Sequence, residues 1–104
     1  METIAFTMQL YPGFKEEYKK RHDAIWPELR RLLQEAGIHD YSIFQDPSNN
    51  TLFGILKTDA LAAFDELAKK ETMQKWWKYM ADIMETNPDG SPLAIRLLPV
   101  FYLP

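Results

Sequence analysis

The first part of the chain changes from an alternating to a helical spacing of its apolar residues. From Thr3 to Tyr11 the large apolar side chains occupy every second position, which predicts a strand. From Phe14 to Ala36 they recur three or four residues apart, which predicts a long helix with Gly37 as its C-terminal cap. Because Pro27 lacks an amide hydrogen and crowds the preceding turn, we expect the helix to kink or restart near Trp26.

The middle of the chain predicts a hairpin followed by two helical segments. Two apolar, β-branched and aromatic stretches, His39 to Asp46 and Thr51 to Lys57, flank a short polar turn. Asp59 is expected to cap a short helix. A second helical segment is expected to begin at Thr72, with an apolar stripe that runs to Met84.

The last stretch, Ile95 to Leu103, is apolar enough for a fourth strand, which Pro99 should confine to a sheet edge or a bulge. The predicted order is then strand, helix, strand, strand, helix, strand. That order is the split β-α-β arrangement of ferredoxin-like α+β folds, in which both helices cover one face of an antiparallel sheet. We expect one domain spanning residues 1–104.

The strands offer large apolar side chains to both sides of the predicted sheet. Phe53 and Ile55 oppose Leu52 and Leu56, and the last stretch shows the same pattern. One helix layer covers only one face, and a soluble monomer rarely leaves so large an apolar patch in water. The sequence therefore predicts a homodimer in which two sheets pack face to face, as in a dimeric α+β barrel.

Composition and charge narrow the classes of function. The 104 residues are 46% hydrophobic and 26% charged, typical of a packed globular protein, and their net charge of −3 makes nucleic acid an improbable partner. No cysteine is present, which excludes thiolate chemistry. No stretch reaches the roughly 20 apolar residues that cross a bilayer, and no secretory signal is evident. We expect a cytoplasmic protein with no membrane partner.

The candidate chemistry lies on the first helix. His22 is one of two histidines and falls four residues after Tyr18 on the apolar stripe. It is either a structural histidine satisfied by one hydrogen bond or a general acid or base in an apolar pocket. Tyr18 is either a core residue or a second polar group that meets the same small ligand. The charged run Lys19-Lys20-Arg21 is typical of a solvated helix face.

Trp76 and Trp77 are neighbours on the predicted second helix. Neighbouring residues point about 100° apart on a helix, so the two indoles cannot fill the same hole and at least one is expected to border a cavity. Both could also be core residues. Flat indole faces suit the C–H side of a pyranose ring, and polar groups at the rim suit its hydroxyls, so this set favours a neutral sugar. His22 and His39 match no metal-ligand spacing, and we expect neither a metal nor a cofactor.

The sequence resembles the L-rhamnose mutarotase family nearly end to end. Four segments carry the resemblance: Tyr18 to Leu29 (YKKRHDAIWPEL), Trp76 to Asp82 (WWKYMAD), Asn87 to Pro92 (NPDGSP) and Val100 to Pro104 (VFYLP). It implies a dimeric ferredoxin-like fold and interconversion of the α and β anomers of L-rhamnopyranose.

The resemblance also implies roles for individual residues. The proton donor of the family falls on His22, and its sugar contacts fall on Tyr18, Tyr41, Trp76 and Trp77. The chain departs from the family at Asp40, where an asparagine is expected, and at the hairpin tip 46–50.

Several alternatives stay open at the level of the sequence. The second acid or base of an anomerisation could be Tyr18, Tyr41, a carboxylate or a bound water. The same architecture also hosts small monooxygenases and haem-handling proteins, in which His22 would be a haem ligand or an oxygenation base. A sugar-binding or purely structural dimer would use His22 only for packing.

Overall fold

The computed structural model describes residues 1–104. Along the chain the elements are β1 (Glu2–Gln9), α1 (Lys15–Asp23), α2 (Pro27–Glu35), β2 (Ile38–Asp46), β3 (Thr51–Thr58), α3 (Leu61–Glu66), a 3-10 turn (Leu67–Lys69), α4 (Glu71–Met80) and β4 (Ile95–Arg96). The four strands form one antiparallel sheet in the order β2-β3-β1-β4.

The core lies between the helices and one face of the sheet. β1 and β3 pair along their full length, so that Ile4 meets Leu56 and Met8 meets Leu52. All four side chains are buried, and residues from α2 and α4 close over them. This arrangement confirms the predicted ferredoxin-like α+β class.

The break at Pro27 is confirmed, and it is a restart rather than a bend. α1 ends at Asp23, and the amides of Ala24 and Ile25 still bond back to α1 carbonyls. Trp26 is extended with φ −60° and ψ 134°, and Pro27 is the first residue of α2. A proline costs nothing there, because the first helical amides lack intrahelical partners in any case. Two separate helices therefore replace the single long helix.

A one-residue bulge interrupts β2. The register against β3 shifts between His39 and Ser42, and Asp40 adopts a left-handed φ of 49°. Asp and Asn tolerate this region better than other residues that carry a Cβ. The extra residue places both Ile38 and Tyr41 on the helix-covered face, although three positions separate them.

The prediction for the second helical region is wrong in two details. α3 is preceded by Ala60 without a side-chain cap, because the Asp59 carboxylate instead lies 2.7 Å from Nε2 of His39. α4 ends at Met80, so Ile83 and Met84 are buried as expected but belong to the turn after the helix.

The predicted fourth strand is also too long. Only Ile95 and Arg96 pair with β1, with one further bond from the Leu97 amide to the Ala5 carbonyl at 2.9 Å. Residues 97–104, which we call the C-terminal arm, form no strand, and Val100 is 96% exposed. Pro99 cannot donate a ladder hydrogen bond, and the last bond to β1 is made two residues before it, by Leu97. The first strand likewise ends at Gln9, earlier than predicted.

Candidate active site

A cavity of about 650 Å³ opens between the helix layer and the sheet beside β2. Tyr18 and His22 of α1, Tyr41 of β2 and Trp76 of α4 all line it. A second cavity of about 410 Å³ adjoins the first and shares Tyr41 with it. Four of the five residues that the sequence singles out therefore meet in one space.

His22 is held in one tautomer. Its Nδ1 lies 3.0 Å from the backbone carbonyl oxygen of Tyr18. A carbonyl oxygen can only accept a hydrogen bond, so Nδ1 carries the proton and Nε2 keeps a free lone pair. Nε2 forms no hydrogen bond with the protein. The hydrogen bond to Tyr18 therefore satisfies one ring nitrogen, as expected of a structural histidine, and leaves the other nitrogen available to a ligand.

Two aromatic rings fix the plane of the imidazole. Tyr18 stacks on it with centroids 4.2 Å apart, and Trp76 meets it edge-on with centroids 5.4 Å apart. Desolvation lowers the pKa of His22, although the Tyr18 carbonyl and the charge of Asp23 oppose that shift. The resting side chain is therefore a neutral imidazole at pH 7, with Nε2 ready to accept a proton.

Tyr18 and Tyr41 contribute two phenols that keep their protons. Desolvation raises the pKa of both, and for Tyr18 the proximity of Tyr41 adds to the effect. Tyr41 as a whole residue is 38% exposed, but its phenol hydroxyl is desolvated, and this desolvation raises its pKa. Neither phenol can serve as a phenolate base near neutral pH, and each can donate a hydrogen bond to an oxygen in the cavity.

A glycine on the sheet supports Tyr41. The ring of Phe6 lies across Gly54, which pairs with it from β3, and an added Cβ at Gly54 would lie 2.6 Å from Cζ of that ring. Phe6 in turn meets Tyr41 edge-on, with centroids 6.2 Å apart. The missing side chain of Gly54 therefore lets Phe6 lie flat on the sheet as a support for Tyr41.

The two adjacent tryptophans face different cavities. Trp76 is buried and lines the larger cavity with His22, whereas the half-buried Trp77 lines the smaller one. The geometric expectation that neighbouring indoles cannot share one hole is confirmed. Tyr41 borders both spaces, so a ligand beside Tyr41 could contact either indole.

Three further residues that the sequence did not single out for this site pack on the far side of Trp76 or on one another. Trp26 packs edge-on against Trp76 at 5.1 Å, and Tyr79 lies 5.5 Å from Trp26 between ring centroids. Arg21 lies over the Tyr79 ring at 4.5 Å. Its side chain is only 11% exposed, so the expectation of a wholly solvated run is wrong at this residue, while Lys19 and Lys20 are exposed.

The remaining ionisable groups form no metal centre. No three His, Asp or Glu side chains lie close enough together to hold a metal ion. Asp23, the carboxylate nearest in sequence to His22, pairs with Lys19 at 2.7 Å and is largely exposed.

Every helix of the structure is too short or too polar to span a bilayer.

Fold and cavity together define a ferredoxin-like α+β protein with an aromatic pocket around one neutral imidazole. The family model for L-rhamnose mutarotase matches residues 3–103. The chain belongs to the L-rhamnose mutarotase family.

Individual relatives agree with this assignment. An L-rhamnose mutarotase from Listeria monocytogenes serotype 4b is 52% identical over 103 residues, 99% of both chains. The crystal structure of an L-rhamnose mutarotase from Formosa agariphila superimposes with a TM-score of 0.93 at 48% identity, covering all of both chains. An antibiotic biosynthesis monooxygenase matches with a TM-score of 0.52 at 14% identity, covering 96% of this chain and 99% of that one, a likeness of fold alone.

Proposed function

We propose that this chain is an isomerase that interconverts the α and β anomers of L-rhamnopyranose, with His22 as the group that moves the proton. The observation that carries the proposal is the neutral imidazole with an unpartnered Nε2 in an aromatic cavity. Membership of the L-rhamnose mutarotase family supplies the substrate. No metal or cofactor enters the proposed reaction.

The proposed reaction needs one proton removed and one delivered. Nε2 of His22 takes the proton of the anomeric hydroxyl, the electron pair of that O–H bond forms the aldehyde C=O, and the bond from C1 to the ring oxygen breaks. The ring oxygen leaves with the bonding pair and receives the proton back from Nε2. Rotation about C1–C2 and the reverse steps on the other aldehyde face give the other anomer, and His22 is neutral again.

One nitrogen can serve both oxygens because both are bonded to C1. The phenols of Tyr18 and Tyr41 complete the proposal as hydrogen-bond donors to the ring oxygen while it carries negative charge, since their raised pKa keeps them protonated. Trp76 and Trp77 are proposed to hold the faces of the sugar. We therefore propose that the second group of the reaction is a hydrogen-bond donor, the phenol of Tyr18 or of Tyr41, and not a second base.

Positioned acid–base catalysis of this kind is typically worth about 10²–10⁴-fold. The test is exchange between the anomeric proton signals of L-rhamnose, measured by saturation-transfer NMR with the wild type, His22→Ala and His39→Ala. His39 is the matched control, because it is exposed and paired with Asp59 outside the cavity. We expect His22→Ala to lose most turnover while it still binds the sugar and His39→Ala to keep its rate. Wild-type exchange in His22→Ala would overturn the role of His22, and binding without accelerated exchange in the wild type would reduce the protein to a sugar-binding module.

We further propose that the protein is a homodimer built on the outer face of the sheet. Phe44 is 58% exposed and Ile55 41% exposed on that face, opposite the buried Leu52 and Leu56. The C-terminal arm adds further apolar side chains that touch little of their own chain. A second copy offers the same two surfaces and could cover both at once.

Sedimentation velocity at micromolar concentration tests the dimer. We expect the full chain to sediment as a dimer and Ile55→Glu to shift it toward monomer. The control is Lys78→Gln, which makes the same change of one unit in net charge on the exposed surface of α4, away from the outer face of the sheet. A monomeric wild type would contradict the proposal. The expected cytoplasmic location stays a prediction.

A further inference from the structure

Helix α1 carries Tyr18 and His22, yet only one of its side chains makes hydrogen bonds outside the helix. Lys19 bonds to Asp23 and the imidazole bonds to the Tyr18 carbonyl, both within α1. Arg21 alone reaches another element through hydrogen bonds. The place of α1 relative to α4 therefore depends on this residue more than on any other polar group.

The guanidinium of Arg21 uses its donors in several directions. Nη1 donates to the backbone carbonyl of Tyr79 at 2.8 Å and to Oδ1 of Asp82 at 2.8 Å, and Nη2 donates to Oδ2 of Asp82 at 3.2 Å. Nε donates to Glu17 one turn earlier at 2.8 Å, which fixes the side chain on its own helix. Such a planar, bidentate arrangement sets both distance and angle, which a lysine cannot do.

These bonds join α1 to the end of α4, where the last carbonyls lack intrahelical partners. The Tyr79 carbonyl is one of these, and Cζ of Arg21 lies over the Tyr79 ring, 4.5 Å from its centroid. Tyr79 packs at 5.6 Å on Trp76, and Trp76 meets the imidazole of His22 edge-on. Arg21 thus connects the imidazole to the indole beside it through backbone and ring contacts.

We propose that Arg21 is a positioning residue that holds α1 against the end of α4 and so places Nε2 of His22 at the reacting carbon. This inference rests on the proposed function, because it assigns Arg21 a part in the same reaction. Arg21 touches no substrate in this scheme, since it does not line the cavity. Loss of the Arg21 contacts is therefore expected to move His22, while Tyr41 and the sheet keep their positions.

The test compares Arg21→Gln with Lys20→Gln, the loss of a neighbouring cation that is exposed and unpaired. For Arg21→Gln we expect kcat for anomer exchange to fall on the order of 10- to 100-fold, because a misplacement of about 1 Å can cost about that much, with KM little changed. Arg21→Lys should recover part of the lost kcat, because it keeps the charge and one donor direction. Lys20→Gln should match the wild type.

Asp82→Asn provides a second route to the same answer and decides the matter if Arg21→Gln does not fold. It leaves the guanidinium and its bond to Tyr79 in place, so kcat should fall by a smaller factor. Adding Asp82→Asn to Arg21→Gln should change little further, since both changes break one contact.

An unchanged kcat in folded Arg21→Gln, or in Asp82→Asn where the first variant fails to fold, overturns the inference, as does a loss confined to melting temperature. Failure of the proposed function is a separate result, because the wild type itself would then leave anomer exchange at its uncatalysed rate.

Discussion

Replacing Gly54 by alanine would perturb the support of Tyr41 by a known distance. The added Cβ would lie 2.6 Å from Cζ and 2.7 Å from Cε2 of Phe6, where ordinary contact begins at 3.4 Å, so the ring must move by about 0.8 Å. The clash involves the far end of a side chain and leaves the β1–β3 ladder intact. Since Phe6 packs edge-on against Tyr41, its movement is expected to displace the phenol in the cavity.

The expected cost to the fold is that of overpacking a filled core, about 1–3 kcal/mol in the free energy of unfolding. In a domain of this size each kcal/mol lowers the melting temperature by about 4–8 °C. Thermal unfolding followed by circular dichroism measures that loss. NMR exchange on the folded variant should show a lowered kcat, because the phenol of Tyr41 is proposed to donate a hydrogen bond to the ring oxygen while it carries negative charge.

The combination with Phe6→Leu isolates the cause. Leucine lacks the distal ring atoms that the new Cβ would meet, so Gly54→Ala should cost less stability in that background than in the wild type. Equal costs in both backgrounds would show that the strain lies in the backbone. An unchanged kcat in Gly54→Ala would refute the connection from Phe6 to Tyr41.

Three further predictions concern the cavity. Burial lowers the pKa of His22 below its usual value of about 6.5, so the unfolded chain binds the proton first as the pH falls. The contribution of His22 to folding stability is therefore complete above a pH of about 6.5 and is lost progressively below it. His22→Gln should remove this contribution from the pH dependence of denaturant unfolding. The exchange rate should fall on the acid side with a midpoint below about 6.5, and a midpoint at or above that value would contradict a neutral resting imidazole. Tyr41→Phe should lower kcat by about tenfold or more if the phenol stabilises the ring oxygen, whereas Trp77→Phe should act mainly on apparent affinity in a sugar titration, and the reverse pattern would exchange their proposed roles.

The parts of the fold that follow from local rules are the parts that the sequence predicts well. Alternation locates β1, β2 and β3 to within two residues at each end, and the missing amide of Pro27 explains why the helical stripe breaks at Trp26. These features depend on neighbours a few residues away, which spacing reveals directly.

Features that depend on distant partners do not follow from spacing. The Arg21 side chain belongs to a short basic run, and its burial depends on Asp82, which lies 61 residues further along the chain. Tyr41 reaches the cavity because the bulge at Asp40 changes which residues of β2 face the helices. The apolar C-terminal arm has the composition of a strand, but its pairing with β1 stops at Leu97, before Pro99.

The break before Pro27 has a practical consequence for spectroscopy. It places Trp26 against Trp76, and Trp77 borders the adjoining cavity, so all three tryptophans of the chain lie at or beside the proposed sugar site. Intrinsic fluorescence therefore samples this one region of the molecule and contains no signal from indoles elsewhere. The unlabelled protein carries its own optical reporter for titrations with candidate ligands.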